Sequence, residues 1–165
     1  MDQLSQVPLT LATTIAGLAA GTTTTITIAN DVQYAIRGKG YKKTAASNAA
    51  TPTSDATTGS AFSAVAAGYG TVFVVGLDSS GAIKVSQGAT QILDGSTAGS
   101  TAKFLIAPQF PAVPDTVAPI GYIITKVGTS GSAWTFGSSN LAGPPSNVLH
   151  TFVDVFTLPD RPQVS

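Results

Sequence analysis

Few side chains in this sequence could carry out chemistry. The only histidine, His150, is followed four positions later by Asp154, and a histidine with a carboxylate is the pairing that general-base catalysis uses. Both residues fall in a segment predicted to be a strand, where they would share a face but lie too far apart to pair directly. The sequence places no nucleophile within reach of them. We therefore predict that the protein is not an enzyme.

The acidic residues do not predict a metal or cofactor site. All eight of them are aspartates, and they are scattered singly through predicted turns without the spacing of a calcium-binding loop. The chain has no cysteine that could ligate zinc. No glycine-rich stretch lies between a strand and a helix, as a phosphate-binding loop requires. We expect no bound cofactor.

One short stretch concentrates positive charge around Gly38 and Gly40. Its basic residues are Arg37, Lys39, Lys42 and Lys43, and Tyr34 and Tyr41 lie close by in the sequence. Basic side chains interleaved with aromatic rings can bind a nucleic-acid backbone and its bases. However, four cations on a chain of formal net charge +0 are a small footprint. The pattern favours a solvated hairpin tip or an acidic protein partner over nucleic acid.

The composition favours a component of an assembly. Charged residues are 10% of the 165 residues, against about 25% in an average soluble domain. Copies of such a chain repel each other little, so association meets a small electrostatic barrier. Asp2 stands where a secretory signal would carry a basic residue, and Pro8 interrupts the first apolar run. We expect no membrane segment and synthesis in a cytoplasm.

The elements that must position these residues are predicted to be strands. Residues 72–75 are apolar on both faces, so a strand there needs two covering layers. Residues 78–81 supply a turn, and residues 82–85 return as the second strand of a hairpin. We therefore predict an all-β fold, a single two-sheet β-sandwich of jelly-roll or Greek-key type over residues 22–165. Residues 1–21 are predicted to form an N-terminal arm or a short helix.

The remaining elements follow from β-branched residues and turn signals. We predict a second hairpin around residues 38–40, a loop at 45–58, and one or two helical turns at 60–67. A further hairpin is predicted to join residues 120–127 to residues 133–136. Additional strands are predicted at 22–29, 91–93 and 149–158.

Two features are candidates for contact with another subunit. Apolar residues in the N-terminal arm recur with the spacing of one helical face, although an extended arm is equally compatible; these residues are Leu4, Val7, Leu11, Ile15 and Leu18. The arm is expected to lie on its own domain or on a neighbouring subunit. The lone tryptophan, Trp134, is predicted to be a core residue or an inter-subunit anchor.

Several segments together resemble small structural proteins of tailed bacteriophages. They are residues 118–124 (APIGYII), 133–137 (AWTFG), 151–159 (TFVDVFTLP) and 48–55 (NAATPTSD), with the strands at 72–75 and 82–85. The resemblance covers roughly residue 32 to the C-terminus. It implies a virion protein on the capsid surface, assembled in the host cytoplasm. The implied type is a capsid decoration or cement protein that binds the major capsid protein as a homotrimer. A head-fibre or tail-appendage module is the alternative.

Overall fold

The structure, a computed structural model, describes residues 9–164, and every regular element in that range is a β-strand. The strands are β1 (Leu11–Ala12), β2 (Leu18–Ala20), β3 (Ile26–Ile28), β4 (Val32–Ile36), β5 (Lys39–Lys43), β6 (Ala46–Ala49), β7 (Tyr69–Leu77), β8 (Ile83–Gln87), β9 (Gln91–Ile92), β10 (Ala118–Val127) and β11 (Val148–Asp154). The prediction of an all-β fold is therefore confirmed.

A central antiparallel sheet organises the domain. Its strand order is β11-β10-β7-β8, and β9 pairs with the beginning of β7. The predicted hairpin of residues 72–85 is present as β7 and β8, with Val75 opposite Val85. Strand β10 lies between β7 and β11, so that Ile123 is opposite both Phe73 and Phe152.

One face of the central sheet packs against two smaller sheets. These have the strand orders β1-β4-β5 and β2-β3-β6, and their side chains share one core with Phe73, Val75 and Ile123. The second layer of the sandwich is thus two three-stranded sheets where we predicted one sheet. A bulge between Pro119 and Gly121 shifts the register of β10, which lets Ile120 and Ile123 both join this core.

The other face of the central sheet is covered by irregular chain. It carries Val72, Val74, Tyr122 and Ile124, all buried. Phe104 packs on it, as do Phe110 and Val113 from residues 108–119, which we call the proline-containing segment. Val155 and Leu158 near the C-terminus complete this cover. The backbone N–H of Gln163 donates to the Tyr122 hydroxyl at 2.9 Å. As predicted, the central strand β7 is covered on both faces, but its second face is covered by irregular chain and not by a sheet.

Three local predictions are wrong. Residues 46–49, predicted to be loop, form β6 and pair with β3. Residues 60–67 contain no helical turn, because Val65 instead exchanges two backbone hydrogen bonds with Trp134, at 2.8 and 3.0 Å. Residues 133–136 therefore do not form a hairpin with β10, whose two edges are already occupied by β7 and β11.

The N-terminal segment is extended and built into the sheets. Strand β1 pairs with β4, and β2 pairs with β3, so the helical alternative is wrong for the described residues. Ala12 and Ala16 are fully buried, and Leu18 is nearly so, all in the main core. Residues 9–20 thus contribute to the domain's own core. The candidates Leu4 and Val7 lie outside the described residues.

Candidate functional site

The basic cluster lies at the tip of the β4–β5 hairpin, with a tighter turn than predicted. Arg37 and Gly38 have φ values of 49° and 80°, which are the two positive values that a two-residue type I′ hairpin turn requires. Lys39 already belongs to β5. The Arg37 N–H donates to Thr10 Oγ1 at 3.0 Å, and the Gly38 N–H donates to the Leu9 carbonyl at 2.9 Å. The N-terminal segment therefore fastens the turn.

Neighbouring carboxylates neutralise two of the four cations. Lys42 Nζ is 2.8 Å from Asp31 Oδ2, and Arg37 Nη2 is 3.3 Å from Asp115 Oδ2. The hydrogen bond from Lys42, followed by that from the Ala45 N–H, lowers the pKa of Asp31 below its ordinary value. The hairpin tip therefore carries both signs of charge, which weakens its attraction for a phosphate backbone.

The other two lysines belong to a strand at the edge of its sheet. Tyr41 pairs with Tyr34 across the hairpin, and their rings stack with centroids 5.6 Å apart. Lys39 and Lys43 flank Tyr41 on the same side of β5, since side chains alternate along a strand. Charged side chains, lysines above all, on an edge strand oppose pairing with the strand of another chain. Tyr34 is buried, so only the partly exposed ring of Tyr41 could contact a base.

An open groove lies beside the Arg37–Asp115 pair. Its volume is about 540 Å³, and Thr10, Val113 and Pro119 contribute to its lining together with the ion pair. The sequence did not indicate this site, because Asp115 lies 78 positions after Arg37 and has no local pattern that predicts the contact. The groove brings the N-terminal segment, the hairpin tip and the proline-containing segment together on one surface.

Apolar side chains are exposed along the N-terminal segment. Leu9, Ile15 and Phe156 are between 48% and 64% exposed, and we call these three residues the N-terminal surface. Phe156 lies beside this segment, because its carbonyl accepts a hydrogen bond of 2.8 Å from the Ala12 N–H. Of the predicted contact residues, Leu11 is half-buried, and Leu18 is in the core. The sequence pattern missed Phe156, which we had placed in the last strand.

Trp134 is a core residue and is not available as an inter-subunit anchor. Its side chain is fully buried, and its Nε1–H donates to the Asn140 carbonyl at 2.9 Å. The ring packs edge-to-face on Phe73 and Phe136, with centroid separations of 5.8 and 6.0 Å. Because no atom of Trp134 reaches the surface, a partner cannot contact it directly.

His150 is partly buried beside Trp134. Its ring centroid lies 4.5 Å from that of Trp134, and Nδ1 is hydrogen-bonded to Thr125 Oγ1 at 3.0 Å. Burial lowers the pKa of His150 to about 4, although the Asn140 carbonyl opposes this shift. Thr125 is fully buried, so no substrate can reach its hydroxyl. Asp154 does not pair with His150, and its Oδ1 instead accepts a hydrogen bond from the Leu18 N–H at 3.0 Å.

Residues 9–164 contain no group of three or more His, Cys, Asp or Glu side chains that could hold a metal ion. Over the same residues, no helix has the length and apolar character needed to cross a membrane. Two surfaces of the described residues remain as candidates for binding a partner: the hairpin tip with its groove, and the N-terminal surface. No family model, curated protein or solved structure matches this chain.

Proposed function

We propose that this protein is a non-enzymatic structural component of a tailed-bacteriophage virion. In this proposal it is a decoration or cement protein that binds the major capsid protein on the outside of the shell as a homotrimer. The resemblance of residues 118–124 and 151–159 to phage structural proteins supports the class of protein. Those residues include most of β10 and β11.

The observation that carries the proposal is the N-terminal surface. Leu9, Ile15 and Phe156 expose apolar side chains from segments whose backbone is hydrogen-bonded to the rest of the domain. Because the backbone is ordered on folding, binding does not have to supply that ordering free energy, which is about 1 to 2 kcal/mol per residue. A pre-ordered apolar surface suits tight association with a large, fixed partner such as a shell.

The charged side chains of the hairpin tip would form a polar rim around such a contact. Arg37 and Lys42 are exposed and each is already paired with an aspartate. Lys39 is also exposed, 5.6 Å from the Tyr41 ring centroid. Paired charges that remain partly in water cost little to place at the edge of an interface and help to orient the partner.

The test is retention of the purified protein on shells that lack it. The double variant Leu9→Lys, Ile15→Lys places two charges on the N-terminal surface, and we expect its affinity for shells to fall at least about 100-fold. The double variant Thr97→Lys, Ser100→Lys is the matched control, because it adds the same two charges at exposed loop positions near the Val127 end of β10, away from Phe156. Equal retention of both variants would show that the N-terminal surface does not bind the shell.

Imaging of labelled protein on particles separates the proposed role from the alternative. A decoration protein should be spread over the shell in many copies. A few copies at one vertex would instead assign the chain to a head fibre or tail appendage. Hydrolytic activity that disappears in His150→Ala would contradict the non-enzymatic role.

A further inference from the structure

A second apolar surface lies at the other end of the central sheet. Tyr69 of β7 is directly opposite Ile92 of β9, and the Leu105 N–H donates to the Ile92 carbonyl at 3.2 Å. An antiparallel bridge joins Leu93 to Phe104. Residues directly opposite each other on antiparallel strands have side chains on the same face. Tyr69, Ile92 and Leu105 therefore form a continuous row across three chain segments.

This row is exposed. Its three side chains and that of the next residue, Ile106, are between 40% and 63% exposed, and we call these four residues the end patch. The pairing of residues 92–94 with residues 103–105 as a hairpin explains why Ile92 and Leu105 are outside the core. Leu93 is buried and Phe104 packs on the covered face of the sheet, so the alternating residues Ile92 and Leu105 must point away from it.

We propose that the end patch is the surface through which copies of this chain bind one another. With exposed fractions of 40% to 63%, these four residues present on the order of 400 Å² of mostly apolar surface, which is within the range of the largest apolar patch of a typical monomer. Two copies that meet through this patch would bury twice that area, on the order of 800 Å². A standard stable interface buries about 1,600 Å² in total, of which a little more than half is apolar. The end patch therefore supplies the apolar part of such an interface.

The charges beside the patch favour another copy of the chain as the occupant. Asp94 and Lys103 are both exposed and lie opposite each other on the same hairpin, where the Asp94 N–H donates to the Lys103 carbonyl at 2.9 Å. They are two positions beyond Ile92 and two before Leu105, so they share the face of the end patch. A surface whose rim carries one cation and one anion is complementary to itself.

The experiment measures the mass of the full-length protein in solution by analytical ultracentrifugation, without shells. We expect reversible association of the unmodified chain and a dissociation constant at least about 100-fold higher for Leu105→Lys, since association would bury an unpaired ammonium group among apolar side chains. Ile106→Asp is the second variant, with the same expectation. Ile15→Lys is the control, because it adds a charge at a similarly exposed apolar residue outside the patch. Trp134 fluorescence verifies that each variant is folded.

The outcomes separate this inference from the proposed function. Dissociation of the oligomer by both patch variants, but not by Ile15→Lys, supports the inference whether two or three copies associate. A mass of two chains would remove the homotrimer from the proposed function while leaving the inference intact. A monomeric unmodified chain, or an oligomer that both patch variants leave intact, overturns the inference. A monomer whose binding to shells is lost in Leu105→Lys overturns it too, and assigns the end patch to the capsid protein.

Discussion

Mild acid should destabilise this protein through one side chain. His150 is the only histidine, and the chain has no glutamate. In the unfolded chain, His150 binds a proton near its ordinary pKa of 6.5, whereas burial in the folded state lowers the pKa to about 4. Between these two values the unfolded state binds more protons than the folded state. The free energy of unfolding must therefore fall as the pH falls through this window.

The magnitude follows from the two pKa values. Each unit of difference corresponds to about 1.4 kcal/mol, so lowering the pH from about 7.5 to about 5 should cost about 2 kcal/mol of stability. Asp31 and Asp94 do not contribute much to the pH dependence in this range. Hydrogen bonds from Lys42 and Ser96 lower the pKa values of Asp31 and Asp94 below 3.8. The stability that these carboxylates add is lost only at still lower pH.

The assay is urea unfolding followed by Trp134 fluorescence at several pH values between about 7.5 and 5. Trp134 is the only tryptophan and is fully buried 4.5 Å from the His150 ring, measured between centroids, so its emission reports unfolding of this region. The control is His150→Asn, which keeps a polar atom near Thr125 Oγ1 but cannot bind a proton. We expect this variant to be less stable at neutral pH and to have a nearly flat pH profile over the same range.

Two results would refute the reasoning. If the unmodified protein keeps its full stability down to about pH 5, then His150 is not held neutral by its surroundings. If His150→Asn loses stability with the same slope as the unmodified protein, another group binds the protons. A histidine NMR titration in the folded protein provides an independent check, because it should give a midpoint near 4.

Three other predictions concern the framework of the fold. Leu18→Ala should lower the free energy of unfolding, measured by urea titration, by about 2 to 4 kcal/mol, because it removes a nearly fully buried side chain. Ile15→Ala, at a half-exposed position, is the control and should cost less than about 1 kcal/mol. Equal losses would mean that residues 9–20 do not share the core. Gly121→Ala should destabilise the domain by about 2 kcal/mol or more, since its added carbon would meet the Leu18 side chain and the Val153 carbonyl. Gly40→Ala, whose added carbon meets nothing within 4 Å, is the control. A thermal melt of Gly121→Ala that matches the unmodified protein would contradict the close approach of β10 to its neighbours. Trp134→Ala should cost about 3 to 5 kcal/mol in urea unfolding followed by circular dichroism, and a loss below about 1 kcal/mol would argue against its burial.

The sequence determined the parts of the fold that depend on neighbouring residues. The β4–β5 hairpin and the β7–β8 hairpin were both predictable, because strand-forming residues flank turns that contain glycine. The apolar residues 72–75 also indicated a strand covered on both faces, since side chains alternate along a strand whatever packs on it. Even there, the turn at Arg37–Gly38 is tighter than predicted, because the flanking strands set the twist that the turn must match.

Only the tertiary structure decided which distant segments pair. The sequence at 46–49 has little β propensity, yet it becomes β6 because β3 presents an unpaired edge beside it. Residues 60–67 have apolar residues at a spacing that fits one helical turn, but Val65 satisfies its backbone groups on Trp134, 69 positions away. The same reason makes the N-terminal segment extended, because β4 and β3 offer partners for its backbone.

The candidate surfaces divide in the same way. The basic residues of the hairpin tip were predictable from their spacing, whereas the carboxylate of Asp115 that pairs with Arg37 was not. The end patch had no sequence signal either, since Ile92 and Leu105 are ordinary apolar residues in segments that contain little other regular structure. Burial decides which of them becomes a surface, and burial depends on the whole fold. The sequence therefore determined the local strands and turns, and the long-range pairing of backbone hydrogen bonds determined what those strands leave exposed.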